Sequence, residues 1–330
     1  MNKMNSKKDV MLSVMTWNIY QGADLSPIFT SSSKPIPQIV TEVFRQFLAT
    51  NFPKRAKAIA KQIELEKPDI IGLQEAVLVE LISPDSYRVV YDYINILLDE
   101  LEDRDIKYEL IVKNKNTSIE LPTSTGNKVA FTDRDVILVR KDSDVKVVWK
   151  QGVNFQAKLP PIEVGNLSVT ITRGWSAMDA ILKGHMFRMV TTHLEPLSSI
   201  ISPFIQEAQG NELLAGPGQT DLPLIFTGDF NSKADNTGTA TYRNLINAGF
   251  TDTWLTGDYG DGFTCCHDGD LLNAVSTLSE RIDLILMKNN SNWEVIKEKL
   301  VGETQSDRTR TRLWPSDHAG VLAKFKLGSR

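Results

Sequence analysis

The sequence predicts an α+β domain built on two sheets with helices outside them. Three observations lead there. Short β-rich runs outnumber helical patterns, hairpins alternate with single helices, and no linker divides the 330 residues. A chain this long buries a sizeable core without staples. Its 41% apolar and 24% charged content is that of an ordinary globular protein.

The elements follow in order. "MLSVMTWNI" (11–19) reads as the first strand. "IPQIVTEVFRQFLAT" (36–50) spaces apolar residues by three and four, and "PKRAKAIAKQIELEK" (53–67) opens on one proline and stops before Pro68, so both read as helices. "DIIGLQE" (69–75) is a strand and "DSYRVVYDYINILLDELED" (85–103) a helix. Strands follow at "YELIVK" (108–113), "DVILVRK" (135–141), "VKVVWK" (145–150), "LSVTITRGWSAMDAIL" (167–182) and "MFRMVTTHL" (186–194). The "LKGH" turn at 182–185 makes the last two a hairpin, so part of the sheet is antiparallel. "LPLIFTG" (222–228), "RIDLILMK" (281–288) and "AGVLAKFKL" (319–327) are strands, with a helix at "TATYRNLINAGF" (239–250). One domain is expected over 10–327, with 1–9 and 328–330 as disordered tails.

Bulk properties exclude several classes. A net charge of −4 argues against non-specific polyanion binding. No apolar run reaches the roughly 18 residues of a transmembrane segment, and no signal-peptide core is present. A cytoplasmic monomer is expected, secreted only if a leader was removed. The adjacent Cys265 and Cys266 give no disulfide framework; at most they form a strained vicinal bridge, and they read first as two buried free thiols.

The polar ends of the strands are less ordinary. In "LPLIFTGDFN" (222–231) the apolar run stops on Gly228, Asp229 and Asn231. That is a plain turn exit, or a site, because alternation along an extended chain points Asp229 and Asn231 to one side. Other strand ends carry Asn18 ("TWN"), Gln74 and Glu75 ("LQE"), and His193 ("TTHLEP"). Asp283 interrupts the apolar "RIDLIL", and Asp317 and His318 ("SDH") precede the last strand. Singly, each is more often a cap or a satisfied structural residue. Together they point to a site.

In order and type these segments resemble the endonuclease/exonuclease/phosphatase superfamily, which includes DNase I-like nucleases, neutral sphingomyelinases and inositol-polyphosphate 5-phosphatases. The pairing of "GDFN" with "SDH" carries most of the likeness. It implies a four-layer α/β sandwich, with two mixed, largely antiparallel sheets packed face to face and the site at one edge. It also implies a divalent metal, usually Mg²⁺, and hydrolysis of a phosphoester bond. Segment 22–55 lengthens a connection that is shorter in some relatives, and is expected to form a lobe near the site rim.

The chemistry of the residues agrees with that resemblance. Phosphodiester hydrolysis needs positive charge at the phosphoryl oxygens and an activated water. Glu75 is the leading metal ligand, with Asn18 and Asp317 beside it. Oxygen ligands favour Mg²⁺, or Mn²⁺, over zinc. His318 is the candidate base, oriented by Asp283, while Asp229 and Asn231 position the water and a phosphoryl oxygen. His193 sides with the DNase I-like, sphingomyelinase-like and phosphatase branches, where it binds phosphate or assists the leaving group. Arg173 falls where relatives often carry an arginine and is assigned a phosphate contact. Arg140 stands where some nucleases place a tyrosine, which removes a phenol contact. Arg308, Arg310 and Arg312 alternate, so they line one side of an extended loop or form a solvated face. The loop at 257–270 lacks EF-hand spacing and reads as a turn or substrate-side loop.

The expected activity is a nuclease-like phosphodiesterase acting on nucleic acid, a phospholipid headgroup or a small phosphodiester. Sphingomyelinase or phospholipase C-type cleavage and inositol-phosphate hydrolysis are alternatives, although only "PIFTSS" suggests a membrane-inserting segment. A non-catalytic binding module is the rival from another class. All expected positions are filled, which favours an enzyme.

Overall fold

The computed structural model describes residues 9–30, 32–289 and 292–328. Its strands are β1 (Val10–Asn18), β2 (Ile70–Gln74), β3 (Leu78–Ile82), β4 (Arg88–Asp92), β5 (Tyr108–Pro122), β6 (Lys128–Arg140), β7 (Val145–Asn154) and β8 (Ile162–Val164). They continue as β9 (Leu167–Val169), β10 (Gly174–Leu182), β11 (His185–His193), β12 (Leu224–Asp229), β13 (Thr251–Asp252), β14 (Asp283–Lys288), β15 (Trp293–Val301) and β16 (Gly320–Leu327). The helices are α1 (Ser26–Phe29), α2 (Ile36–Ala49), α3 (Phe52–Glu66), α4 (Tyr93–Glu102), α5 (Ser202–Ala215) and α6 (Thr241–Asn247).

One sheet runs β15-β16-β1-β2-β6-β3-β4, with β5 also paired to β6, and the other runs β13-β14-β12-β11-β10-β7. Within these two sheets β1–β2 and β11–β12 are parallel and the other described pairs antiparallel. Leu12 and Val14 share a core with Met189, Ile225 and Ile285 between the sheets. Met15 and Trp17, of opposite parity on β1, pack instead with α2, α3 and α4 outside the first sheet. Phe226 and Leu284 pack with Leu213 of α5 and Leu245 of α6 outside the second. The result is helices, sheet, sheet, helices, the DNase I-like sandwich. Each large apolar side chain so buried contributes about 1.5–3 kcal/mol.

Two glycines permit the close approaches under the site. A Cβ at Gly72 would come within 2.5 Å of Thr191 Oγ1 on the facing sheet. Gly228 sits at φ +139°, and a Cβ there would strike the Thr192 carbonyl of neighbouring β11. The register then sets the site. His193 lies opposite Asp229, and Asp229 opposite Asp283, so adjacent strands present these residues together. In the first sheet Asn18 lies opposite Gln74, and Glu75 follows.

Several expected elements differ. The helix expected at 85–103 begins as strand β4, where alternating exposure at 88–92 overrides the helical spacing that holds from Tyr93. The long strand at 167–182 breaks into β9 and β10. Helix α5 was not expected, because Gln206, Gln209 and Gly210 take buried positions that a hydrophobic pattern would fill. Edge strand β15, "WEVIKEKLV", is charged in the manner that protects a sheet edge, and so lacks a strand's apolar run. Cys265 is buried but Cys266 is exposed, so they are not two buried thiols. Of the expected tails, 1–8 and 329–330 lie outside the described residues. Asp9 pairs with Lys326 at 2.9 Å, and the Gly328 amide donates to Asn292, so these two positions are tied down.

Candidate active site

The site is built from the strand ends upward. His318 Nδ1 lies 2.8 Å from Asp283 Oδ2, both side chains buried. Its Nε2 stands 3.9 Å from Asp229 Oδ2 and 3.9 Å from Asp317 Oδ1. Trp17 Nε1 donates to the His318 carbonyl and the Ser316 hydroxyl to the Asn18 carbonyl, which ties the "SDH" loop to the end of β1. Asp229 Oδ2 accepts from Asn18 Nδ2 at 3.1 Å and lies 3.5 Å from His193 Nε2. One carboxylate thus joins two histidines and the asparagine of the opposite sheet.

On the far side, Arg173 Nη1 lies 2.9 Å from His193 Nδ1. A guanidinium only donates, so Nδ1 accepts and the neutral ring carries its proton on Nε2, toward Asp229. Arg173 also lies 3.6 Å from Asp133. Asn116 Nδ2 donates to Asp133 and Asp135. Burial, then repulsion from Asp133, pushes Asp135 well above the usual carboxylate range. Arg134 points the other way, donating to the Ala76 and Val77 carbonyls and pairing with Asp92. That fixes the turn after Glu75, itself at φ +56°.

The charges respond to these neighbours. Burial disfavours the His318 cation, but Asp283, Asp317 and Asp229 outweigh it and hold its pKa well above the ordinary value. Burial and the adjacent Arg173 push His193 the other way. Burial raises Asp317 to about 7, with repulsion from Glu75 adding to it, and raises Asp229 to about 6, with repulsion from Asp283. Glu75 is raised by burial and by Asp133, although the Gln21 amide donates to it at 2.6 Å.

These strand ends, in this order and register, match the family description for Endonuclease/Exonuclease/phosphatase proteins over residues 15–318. The chain belongs to that family. No curated protein matches it. Solved structures do, at identities that bear on fold alone. A family protein from Bacteroides thetaiotaomicron aligns with 98% of this chain and 100% of its own at 17% identity, TM-score 0.60. One from Leptotrichia buccalis aligns over 96% and 100% at 17%, TM-score 0.62. D. rerio TDP2, solved with a single-strand DNA product, aligns over 96% and 99% at 17%, TM-score 0.59. Endonuclease/Exonuclease/phosphatase proteins are phosphoester hydrolases, and members of the family generally use divalent metals; phosphoester hydrolysis is the class of chemistry that membership gives this chain.

The structure gathers Asn18, His193, Asp229, Asp283, Asp317, His318 and Arg173 into one constellation, with Glu75 at its edge. Asn231 departs from expectation. It adopts φ +48°, so the chain past Asp229 is no longer extended and strand alternation does not align the two side chains. Its amide donates to Asp229 Oδ1 and its side-chain Nδ2 to the Leu194 carbonyl, bracing the loop. Asn18 bonds Asp229 and the Tyr20 amide. Asp317, 3.9 Å from His318 Nε2, is raised further by repulsion from Glu75, and the two carboxylates are a donor set suited to a hard divalent ion. Among the described residues, Asp229, Asp283 and His318 have ligand atoms within 4.8 Å of one another, a grouping that includes neither Glu75 nor Asp317.

Arg308 does not line the site. It lies 5.2 Å over the Trp314 ring and donates to the Arg312 and Leu272 carbonyls, because a turn at Thr309–Leu313 breaks the extended run. Arg140 pairs with Asp69 and Asp142. Asp133, Asp135 and Glu195 were not anticipated. The signal for the first two was "TDRD", two carboxylates at alternate positions running into an apolar strand.

Proposed function

We propose that the protein is a divalent-metal-dependent phosphodiesterase in which His318, oriented by Asp283, takes a proton from the attacking water. The observation that carries this is the His318–Asp283 contact at 2.8 Å, which leaves Nε2 facing the two further carboxylates. The water oxygen bonds phosphorus, one ester P–O bond breaks, and a water proton passes to Nε2. Asp229, held by Asn18 and the Asn231 amide, orients that water. Arg173, with His193 beside it, faces the phosphoryl oxygens and supplies positive charge where negative charge develops.

Glu75 and Asp317, with Asn18 nearby, would hold Mg²⁺ or Mn²⁺, which when bound neutralises phosphoryl charge and opposes the field that keeps His318 protonated. A diester rather than a monoester is favoured by the fold's likeness to TDP2 solved with a DNA product. The test is hydrolysis of bis(p-nitrophenyl) phosphate. It should require Mg²⁺ or Mn²⁺ and fall on the order of 10²-fold or more in Glu75→Gln. Full activity in excess EDTA, or an unaffected Glu75→Gln enzyme, would overturn the metal assignment.

A further inference from the structure

A cavity of about 790 Å³ opens beside the polar site, within the roughly 300–1,000 Å³ of small-molecule sites. Its walls are apolar: Val43 and Phe44 from α2, Phe131 from β6, and Ile171 from the segment before β10. Its inner end is polar, formed by Arg173, Asp133 and Glu195. Since Arg173 also bonds His193, one side chain separates the chamber from the candidate phosphate position. Glu195 is 2% exposed and its Oε2 has no hydrogen-bond partner among the described residues, an acceptor left for a ligand.

The rim adds a second observation. Pro196, Ser198, Ser199 and Ile201 line the chamber, while neighbours on the same stretch face outward. Leu197 is 51% exposed, Ile200 91% and Phe204 70%. Large apolar side chains gathered on one exposed segment mark an interaction surface. Here it borders the entrance to an apolar chamber.

We propose that the substrate is a phosphodiester of a bilayer lipid. Its phosphate sits at Arg173 and His193, its apolar alcohol fills the chamber, and segment 197–204 rests in the membrane surface. This rests on the phosphodiesterase reading above. The bond from phosphorus to the lipid alcohol breaks as the water oxygen bonds phosphorus. One water proton passes to His318 and from there to solvent, and the alkoxide takes a proton from solvent water and leaves as the alcohol. The phosphorylated headgroup is released to water. A nucleic-acid strand needs a cationic track, whereas Arg173 here is accompanied by two carboxylates and the walls are apolar.

Four probes test this on the intact protein with Mg²⁺. Bis(p-nitrophenyl) phosphate reports the site alone. Short-chain phosphatidylcholines below their aggregation limit report the chamber, and their kcat/KM should rise with chain length, by at most about three- to four-fold per methylene. Vesicles of equimolar phosphatidylcholine and sphingomyelin report the surface through phosphocholine release. A single-strand DNA oligonucleotide is the competitor. Phe44→Ser, with Ile171→Ser as an independent second variant, should flatten the chain-length dependence. The double variant Ile200→Ser/Phe204→Ser should lose roughly ten-fold or more of vesicle cleavage while monomeric lipid is still cleaved. Cleavage of bis(p-nitrophenyl) phosphate with no chain-length dependence and intact vesicles overturns the lipid proposal, as does DNA cleaved faster than every lipid. Failure to cleave bis(p-nitrophenyl) phosphate with any divalent ion overturns the underlying reading instead.

Discussion

The two halves of the site share Asp229 and differ in everything else around it. On one side His318 is surrounded by Asp283, Asp317 and Asp229; on the other His193 meets Arg173. Both imidazoles are buried, and burial alone pushes any histidine toward its neutral form. Yet one is held charged and the other neutral. Depth does not decide protonation here; the sign of the neighbours does. The division gives one half an imidazole whose cationic form its neighbours support, and the other a neutral ring beside a permanent cation.

The sharpest test of that division is to dismantle the His318 half. His318→Ala should cost on the order of 10²–10⁴-fold in turnover. If the pair acts as one unit, adding Asp283→Asn should make matters scarcely worse. Losses that multiply would assign the two residues separate tasks and make Asp229 the better candidate for the base.

Asp229→Asn tests the shared element and should lower turnover by a similar or smaller factor, with Asn231→Ala smaller again, since Asn231 acts through its bracing of the loop. Early melting of both variants in place of lost turnover would return "GDFN" to a plain turn.

The His193 half is read by titration. In metal-free protein, NMR should find His193 neutral well below the usual histidine range and His318 charged well above it. Arg173→Met removes the cation beside His193 and should move its titration upward. An unmoved His193 would mean that burial alone sets it.

The smallest effect on turnover belongs to a control far from the phosphate position. Buried Glu298 accepts a hydrogen bond from Thr253 and has no cation bonded to it, so burial pushes its pKa up to about 8. Its folded value lies above its unfolded one. Its full stability is therefore present below the unfolded value of 4.5 and is lost as pH rises toward 8. Glu298→Gln should raise the melting temperature by on the order of a few degrees at alkaline pH. It should do little in acid and leave turnover intact.

The strand ends were legible because a buried strand is a continuous apolar run, and a polar residue at its end stands out against it. Asn18, Glu75, His193, Asp229 and Asp283 were all found that way. Asp133 and Asp135 were not, because they lie inside the long β5–β6 hairpin with Arg134 between them, and the run resembles a charged face. The chamber was illegible for a different reason. Val43, Phe131 and Ile171 come from separate elements, and only tertiary packing brings them to one space. Alternation misled at Asn231, where positive φ resets the direction of the chain; at the arginine run a turn ending in Leu313 leaves Arg310 and Arg312 exposed, in keeping with the solvated-face reading.

Arg55 of α3 is fully buried and donates to the carbonyls of Thr50, Ile19, Tyr20 and Pro315. Two of those acceptors follow Asn18 directly and a third lies two residues before Asp317. Segment 22–55 is therefore riveted to the loops after Asn18 and before Asp317, and its own end supplies the rivet. Removing Arg55 would strip the carbonyls of Ile19, Tyr20 and Pro315 of their shared donor.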